Sequence, residues 1–396
     1  MASFRIATPT EAEDLIRGLT LLGTGGGGRP DLGRRYLLDH IEAGRAIQLT
    51  DPADIPDDAW TCSVFGMGSI APARTLEAAE RHRLGYGDWA IERPMAEAVR
   101  SLETHTGKRI AALVAFELGA GNTAGPMDAG TRLGIPVVDG DYAGRAVPEL
   151  AQVMPAVYGH ALCPCAICDP WGNRLVLLAT PSAKLGERIG KLVSLATKVP
   201  DPGATCAHAG FLLSGRDMKR LVIPGTVSRA LAVGQQIREA REAGTDAAVA
   251  AAGTLGGWVL FTGTVRAKDW ESRDGYMFGT TTLAGDDPHA GQIATLWFQN
   301  ENHLLRINNR PIATSPDLLM TLDRLSGEAL TNTLLEVSLS VAVIGAAADP
   351  KYRTPEGLAA LGPQAFGLDV PYVPIDQSVA GRPERESCPR PPTQGQ

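Results

Sequence analysis

The spacing of apolar residues changes several times along the chain, and each change predicts an element. Residues 11–22 carry Leu15, Ile16, Leu19 and Leu22 on one helical face, with Thr10 as the expected N-cap and Glu13 three positions on. Residues 31–42 and 94–104 repeat that period and predict two more helices. Short apolar runs at 60–65, 111–116 and 135–138 predict strands, because they are too brief for helices and stop at glycine and polar residues. Residues 126–134 read as a short helix between the second and third runs. A strand, helix, strand unit of this length favours parallel pairing, with both polar clusters at one edge of the sheet.

After about residue 165 the texture becomes that of a β-rich region. Strand-like runs fall at 174–179, 210–213, 221–223, 257–266, 276–283, 292–298 and 336–343, interrupted by a helix over 226–243. The pattern therefore predicts an α/β domain with a mostly parallel sheet over 1–165 and a β-rich (α+β) domain over 166–375. Residues 376–396 are polar and proline-rich and are expected to form a disordered tail.

Composition narrows the function classes. With 396 residues and 44% hydrophobic content the chain can bury a sizeable core. A net charge of -7 without a basic stripe argues against nucleic acid as a partner. No run approaches the roughly 20 apolar residues of a membrane span, and the start MASFRIATPTEAED lacks a signal pattern, so the expectation is a cytoplasmic protein without a membrane partner. Of the six cysteines, Cys163, Cys165 and Cys168 fall too close together to read as a secreted disulfide framework. A homo-oligomer is the default expectation for such a chain.

The chemistry-bearing residues gather at glycine-rich turns. Gly23, Gly25 and Gly28 match G-x-G-x-x-G, but a helix precedes them and Pro30 follows, which is the reverse of a dinucleotide fingerprint. Gly25, Gly26, Gly27 and Gly28 could instead form a backbone nest for an anionic group, or simply a close-packed turn. The 111–116 strand ends at Glu117, Asn122 and Thr123, and the 135–138 strand at Asp139, Asp141, Arg145 and Glu149. Gly66, Gly68 and Ser69 are candidates for the same rim. Two carboxylates at a spacing of two would face one side of a persisting strand, so Asp139 and Asp141 are candidates for a general base and acid. Glu117 adds a third carboxyl group, and Arg145 could clamp an anion or hold a carboxylate. Asn300, Glu301 and Asn302 form a second polar knot that could hydrogen-bond a ring across a cleft between the domains, or make an Asx turn. His160, Cys163, Cys165 and Cys168 are candidate ligands for zinc or another thiophilic metal, against the alternative that the cysteines are small core residues.

Six segments carry a resemblance: LGTGGGG at 22–28, FELGAGNT at 116–123, VDGDYAGRAVPEL at 138–150, FQNENHL at 298–304, ATSPDLL at 313–319 and RTPEGLAALGPQAFG at 353–367. In this order they resemble the S-methyl thiohydantoin desulfurase family, over about residues 10–374. The chain has ELGAGNT where the family pattern expects ELGGANS, and lacks a glutamate and lysine pair after Gly68. The resemblance implies two domains and a hydrolase acting on a small heterocyclic substrate. Its reaction replaces the methylthio group of an S-methylated thiohydantoin with water, releasing methanethiol and leaving a hydantoin, with no nucleotide. Two alternatives stay open from the residues. One is an ATP-dependent cyclic-amide hydrolase of hydantoinase or oxoprolinase type, with phosphate on the glycine run. The other is a non-enzymatic ligand- or metal-binding protein.

Overall fold

A computed structural model describes residues 4–67, 76–88, 90–198 and 206–380. The chain forms two compact units that interleave in sequence. The first takes in the chain up to Ala12, Gly27–Ser228 and Asp274–Tyr276; the second takes in Glu13–Gly26, Arg229–Arg273 and the chain from Met277 onward. The first unit therefore extends well past residue 165.

In the first unit, strands β1 (Phe4–Ile6), β2 (Ile47–Thr50), β3 (Trp60–Met67), β4 (Ile110–Ala115), β5 (Val137–Asp141), β6 (Cys165–Cys168), β7 (Arg174–Leu177) and β8 (Cys206–Ser214) join in the order β1-β2-β5-β4-β3-β8-β6-β7. β9 (Ile223–Pro224) pairs with β5. The central run is parallel, β2 with β5, β5 with β4 and β4 with β3. Antiparallel strands flank it on both sides. This is the α/β architecture expected, with its parallel strands at the centre, where they are buried on both faces: β4 and β5 consist almost wholly of buried residues.

Two helix starts differ from the pattern reading. The first helix runs Pro9–Leu22, and its capping box is Thr8 with Glu11, not Thr10 with Glu13. The Glu11 N–H donates to Thr8 Oγ1 at 3.2 Å, while the Thr8 N–H donates to the Glu11 carboxylate at 2.9 Å. The helix after β4 spans Ala120–Leu133 and contains Pro126, so Asn122 and Thr123 lie in its first turns and not in a loop. Its opening AGNTAGP has low helix propensity, which is why the period was invisible there. Its C-terminus is capped by Gly134 at φ 69°.

The second unit is built on an antiparallel sheet. β10 (Trp258–Arg273), β11 (Tyr276–Gly285), β12 (Ile293–Gln299), β13 (Glu301–Ile307), β14 (Arg310–Thr314), β15 (Leu318–Asp323), β16 (Ala329–Leu330) and β17 (Ser340–Ala346) run in the order β14-β13-β12-β11-β10-β17-β15-β16. Leu260, Leu296, Leu305, Leu319 and Val343 centre its core. The last helix, Ile375–Ala380, adds Ile375 and Val379 to that core, four residues apart on one face. The expected tail is thus ordered at its start, because these two apolar residues have a surface to cover. Residues 381–396 lie outside the described residues.

Candidate active site

In the first unit the site grows from the carboxyl ends of β4 and β5. β4 delivers Glu117 into a buried position, 4% exposed. Its carboxyl oxygens accept hydrogen bonds from Asn122 Nδ2 at 2.7 Å and from the Val147 N–H at 2.7 Å. Burial dominates its proton affinity and pushes the pKa from 4.5 up to about 8. The Val147 N–H, the Asn122 amide and the Arg145 charge pull the other way, while the Asp141 charge adds to the rise. A carboxyl group in this setting holds its proton at neutral pH.

Asp141, fully buried, folds the turn after β5: one of its oxygens accepts the Ala143 and Gly144 N–H groups, both at 2.8 Å. Arg145 is 1% exposed and donates through Nε to the Ala146 carbonyl at 3.0 Å, and its own carbonyl accepts the Leu118 N–H at 3.3 Å. Glu117 lies within electrostatic reach of both Asp141 and Arg145.

Asp139 is engaged differently. Its two oxygens accept the Ser228 N–H at 2.9 Å and the Ser228 hydroxyl at 2.8 Å, tying β5 to the first turn of the Thr226–Glu242 helix. The expected Asp139 and Asp141 pairing is thus divided between two tasks, because one carboxylate satisfies helix-start donors and the other a tight turn. Ser228 was not singled out from the sequence; lying 89 residues from Asp139, it gave no local signal.

Asn122 is half-buried and fixed at both ends, donating to Glu117 and accepting the Gly66 N–H at 3.2 Å. Gly68 and Ser69 lie outside the described residues. Thr123 faces inward, its hydroxyl donating to the Glu117 carbonyl at 3.0 Å and accepting the Gly119 N–H at 3.1 Å, so it braces the turn.

The glycine run is a packing device in this unit. The Gly27 carbonyl accepts the Gly121 and Asn122 N–H groups at 3.0 and 3.1 Å, which are orphan donors of the helix beginning at Ala120. A Cβ on Gly27 would stand 2.5 Å from Gly119 Cα and one on Gly28 would stand 2.9 Å from Gly121 Cα, and both glycines have positive φ, 77° and 89°. Backbone meets backbone here, and a carbonyl occupies the two helix amides that an anion would need.

The rest of the run belongs to the second unit. There the Thr24 carbonyl accepts the Asn302 N–H at 2.8 Å and the Gly25 carbonyl accepts the Asn332 N–H at 2.7 Å. A Cβ on Gly26 would overlap the carboxylate of Glu301, itself 3% exposed. Asn300 takes φ 56° between β12 and β13, accepting the Met277 N–H through its side chain at 2.9 Å. Asn302 donates to the Leu319 carbonyl at 3.0 Å and accepts from Asn332 Nδ2, also at 3.0 Å. Asn300, Glu301, Asn302 and the unforeseen Asn332 thus pack round Thr24–Gly26. Two other motif segments close over the same sheet. Fully buried Asp317 of ATSPDLL accepts Arg353 of RTPEG at 3.0 Å, and His303 of FQNENHL stacks on Phe366 with ring centroids 3.8 Å apart.

The cysteine segment does not assemble a metal centre. Cys165 and Cys168 are three apart on β6, so their side chains leave opposite faces of the sheet. Cys168 Sγ lies 3.6 Å from Ser101 Oγ, and burial pushes up the thiol pKa of Cys163, Cys165 and Cys168, away from the thiolate a metal needs. His160 and Cys163 are only half-buried. Among the described residues no three His, Cys, Asp or Glu side chains are grouped to hold a metal ion.

Two family models match the chain, S-Me-THD-like, N-terminal domain, over residues 10–179, and S-Me-THD-like, C-terminal domain, over residues 192–375. The chain belongs to the S-methyl thiohydantoin desulfurase-like family. No functionally curated protein matches it significantly. A crystal structure of a protein from Chromobacterium violaceum is similar in fold, with a TM-score of 0.73 at 22% identity over 94% of this chain and 100% of that one. No helix of the described residues is long and apolar enough to cross a membrane.

Proposed function

We propose that this S-Me-THD-like protein is a hydrolase that replaces the methylthio group of an S-methyl thiohydantoin-like heterocycle with water. The observation that carries the reading is Glu117, a carboxyl group kept protonated near neutrality beside a second carboxylate and an arginine. In the reaction, water adds to the ring carbon bearing sulfur, the carbon–sulfur bond breaks, and thiol and hydantoin leave. Protonated Glu117 gives its proton to the ring nitrogen, which makes that carbon electrophilic. Asp141 takes a proton from the attacking water, and Arg145 holds the two carboxyl groups in their opposite protonation states. The proton on Asp141 then passes to the departing thiolate, and as the carbonyl forms the hydroxyl proton of the tetrahedral intermediate returns to Glu117, while the ring nitrogen keeps the proton it received. Asp139 acts by positioning β5.

Family membership supports the same reaction class, and the Gly27 carbonyl on the helix amides disfavours the phosphate-holding role that an ATP-dependent hydrolase would give the glycine run. The test is incubation with S-methyl thiohydantoins, without nucleotide or added metal, while released thiol is followed. Stoichiometric thiol and hydantoin are expected; no thiol above the protein-free rate, with a panel of ring substituents, removes the proposal.

A further inference from the structure

A separate cavity of about 630 Å³ lies in the first unit, reached from the opposite end of the Ala120–Leu133 helix. Arg132 on its wall is ten residues from Asn122, or roughly 15 Å along a helix axis, so the cavity is not part of the Glu117 site. What distinguishes it is charge. Among the described residues, five guanidinium groups, those of Arg45, Arg93, Arg100, Arg132 and Arg174, line it beside two carboxylates, Glu92 and Glu97, on a chain whose net charge is -7.

Four carboxylates, Glu92 and Glu97 on the wall and Asp39 and Asp128 beyond it, stand against these five arginines, and two of the four are shared. Glu97 alone takes both Arg100 and Arg174. Asp128, buried behind the wall, takes Arg132 at 2.8 Å and also His40 at 2.9 Å, with Arg93 at 3.8 Å. Arg93 pairs with Asp39, lies 3.7 Å from the Glu92 carboxylate, and sits over the Tyr36 ring, 5.2 Å from its centroid. Arg45 donates through Nε to His40 Nδ1 at 3.1 Å, so its described partner is an imidazole nitrogen, not a carboxylate. Arg93, 8% exposed, forms a floor whose geometry is set before any ligand arrives, and Ile91 and Ala96 supply an apolar margin.

We propose that this cavity binds a small organic polyanion bearing phosphate or carboxylate groups, gripped by Arg45 and Arg132 above the Arg93 floor. Guanidinium forks match the paired oxygens of both anion types, and charge-assisted bonds of this kind are about twice as strong as neutral ones. An anion here would meet Arg45, which has no carboxylate among its described partners, and draw the arginines that share Glu97 and Asp128 partly away from them.

The experiment is calorimetric titration of the full chain with two probes, inorganic pyrophosphate and citrate, at low ionic strength. One saturable site is expected for at least one probe, and the preferred probe tells phosphate from carboxylate recognition. Arg45→Gln and Arg132→Gln should each weaken binding about tenfold and leave thiol release unchanged; Arg45→Gln should also keep the melting temperature, whereas Arg132→Gln lowers it by taking a partner from buried Asp128. Arg45 is exposed, so that variant is expected to fold normally. Absence of a saturable site for both probes overturns the proposal, and so does a site whose affinity is the same in Arg45→Gln and Arg132→Gln as in the unaltered chain. Thiol release is scored separately, so failure here does not touch the hydrolase reading.

Discussion

Replacing Glu117 with Gln tests the centre of the site through stability as well as rate. The folded carboxyl titrates at about 8 against 4.5 for an ordinary glutamate, so between those values the native state holds a proton that the unfolded chain has released. Because the native state binds more protons there, stability falls as pH rises. The contribution is complete below about 4.5, declines across the window and is lost by about 8. A rise of about 3.5 units corresponds to roughly 5 kcal/mol, at about 1.4 kcal/mol per unit. Gln has no proton to lose, so the Glu117→Gln protein should lack this slope and become the more stable of the two above pH 8. The gain is reduced by about 1–3 kcal/mol, since Asn122 Nδ2 and the Val147 N–H both donate to this position and an amide accepts with only one of its two ends. Urea unfolding of both proteins at intervals from about pH 5 to about pH 9 reads the difference directly. Parallel stability curves would refute the raised pKa and, with it, the acid role. In the same variant thiol release should drop at least ~100-fold, and in the unaltered protein it should decline above about pH 8 as the acid form is lost.

Other outcomes follow from the same geometry. Asp141→Asn should fold normally, since its amide oxygen can still accept the Ala143 and Gly144 N–H groups, but should lose at least ~100-fold in turnover; a near-normal rate would transfer the base role to another group. Gly27→Ala should lose about 3 kcal/mol of stability together with activity, and a melting temperature equal to that of the unaltered protein would contradict the close approach to Gly119. Cys165→Ser should cost roughly 1–3 kcal/mol for a hydroxyl in a thiol's buried place and keep its turnover. Dialysis against a chelator should leave the melting temperature and thiol release where they were, and a fall in both would reinstate the cysteines as ligands.

The legible part of the fold was that with strong period. β3, β4, β5 and the Thr226–Glu242 helix fall within a few residues of where the apolar spacing put them; β3 and β4 are largely apolar runs, as buried central strands are. β13 and β14 were missed although Asn308 and Asn309 both take positive φ, 48° and 65°, in the two-residue turn that joins them. In the candidate site, the position of Glu117, Asp141 and Arg145 just past β4 and β5 was legible because charged letters directly follow apolar runs, but the structural tasks of Asp139 and Asp141 were not. Ser228 and Asn332 were not, since their roles depend on partners far along the chain. The use of the Gly27 carbonyl as a helix cap was equally hidden, because a backbone group has no letter in the sequence.

The meeting of Gly27 with Gly119 has one more implication, for how this site can vary. A misfit between two side chains can be repaired by shrinking whichever neighbour is in the way, but here each partner already presents bare backbone. Neither position has anything smaller to yield, so a change at one finds no second-site suppressor at the other. Libraries that aim to alter substrate preference should hold both glycines constant and place their diversity in the side chains around Glu117, where space can be traded.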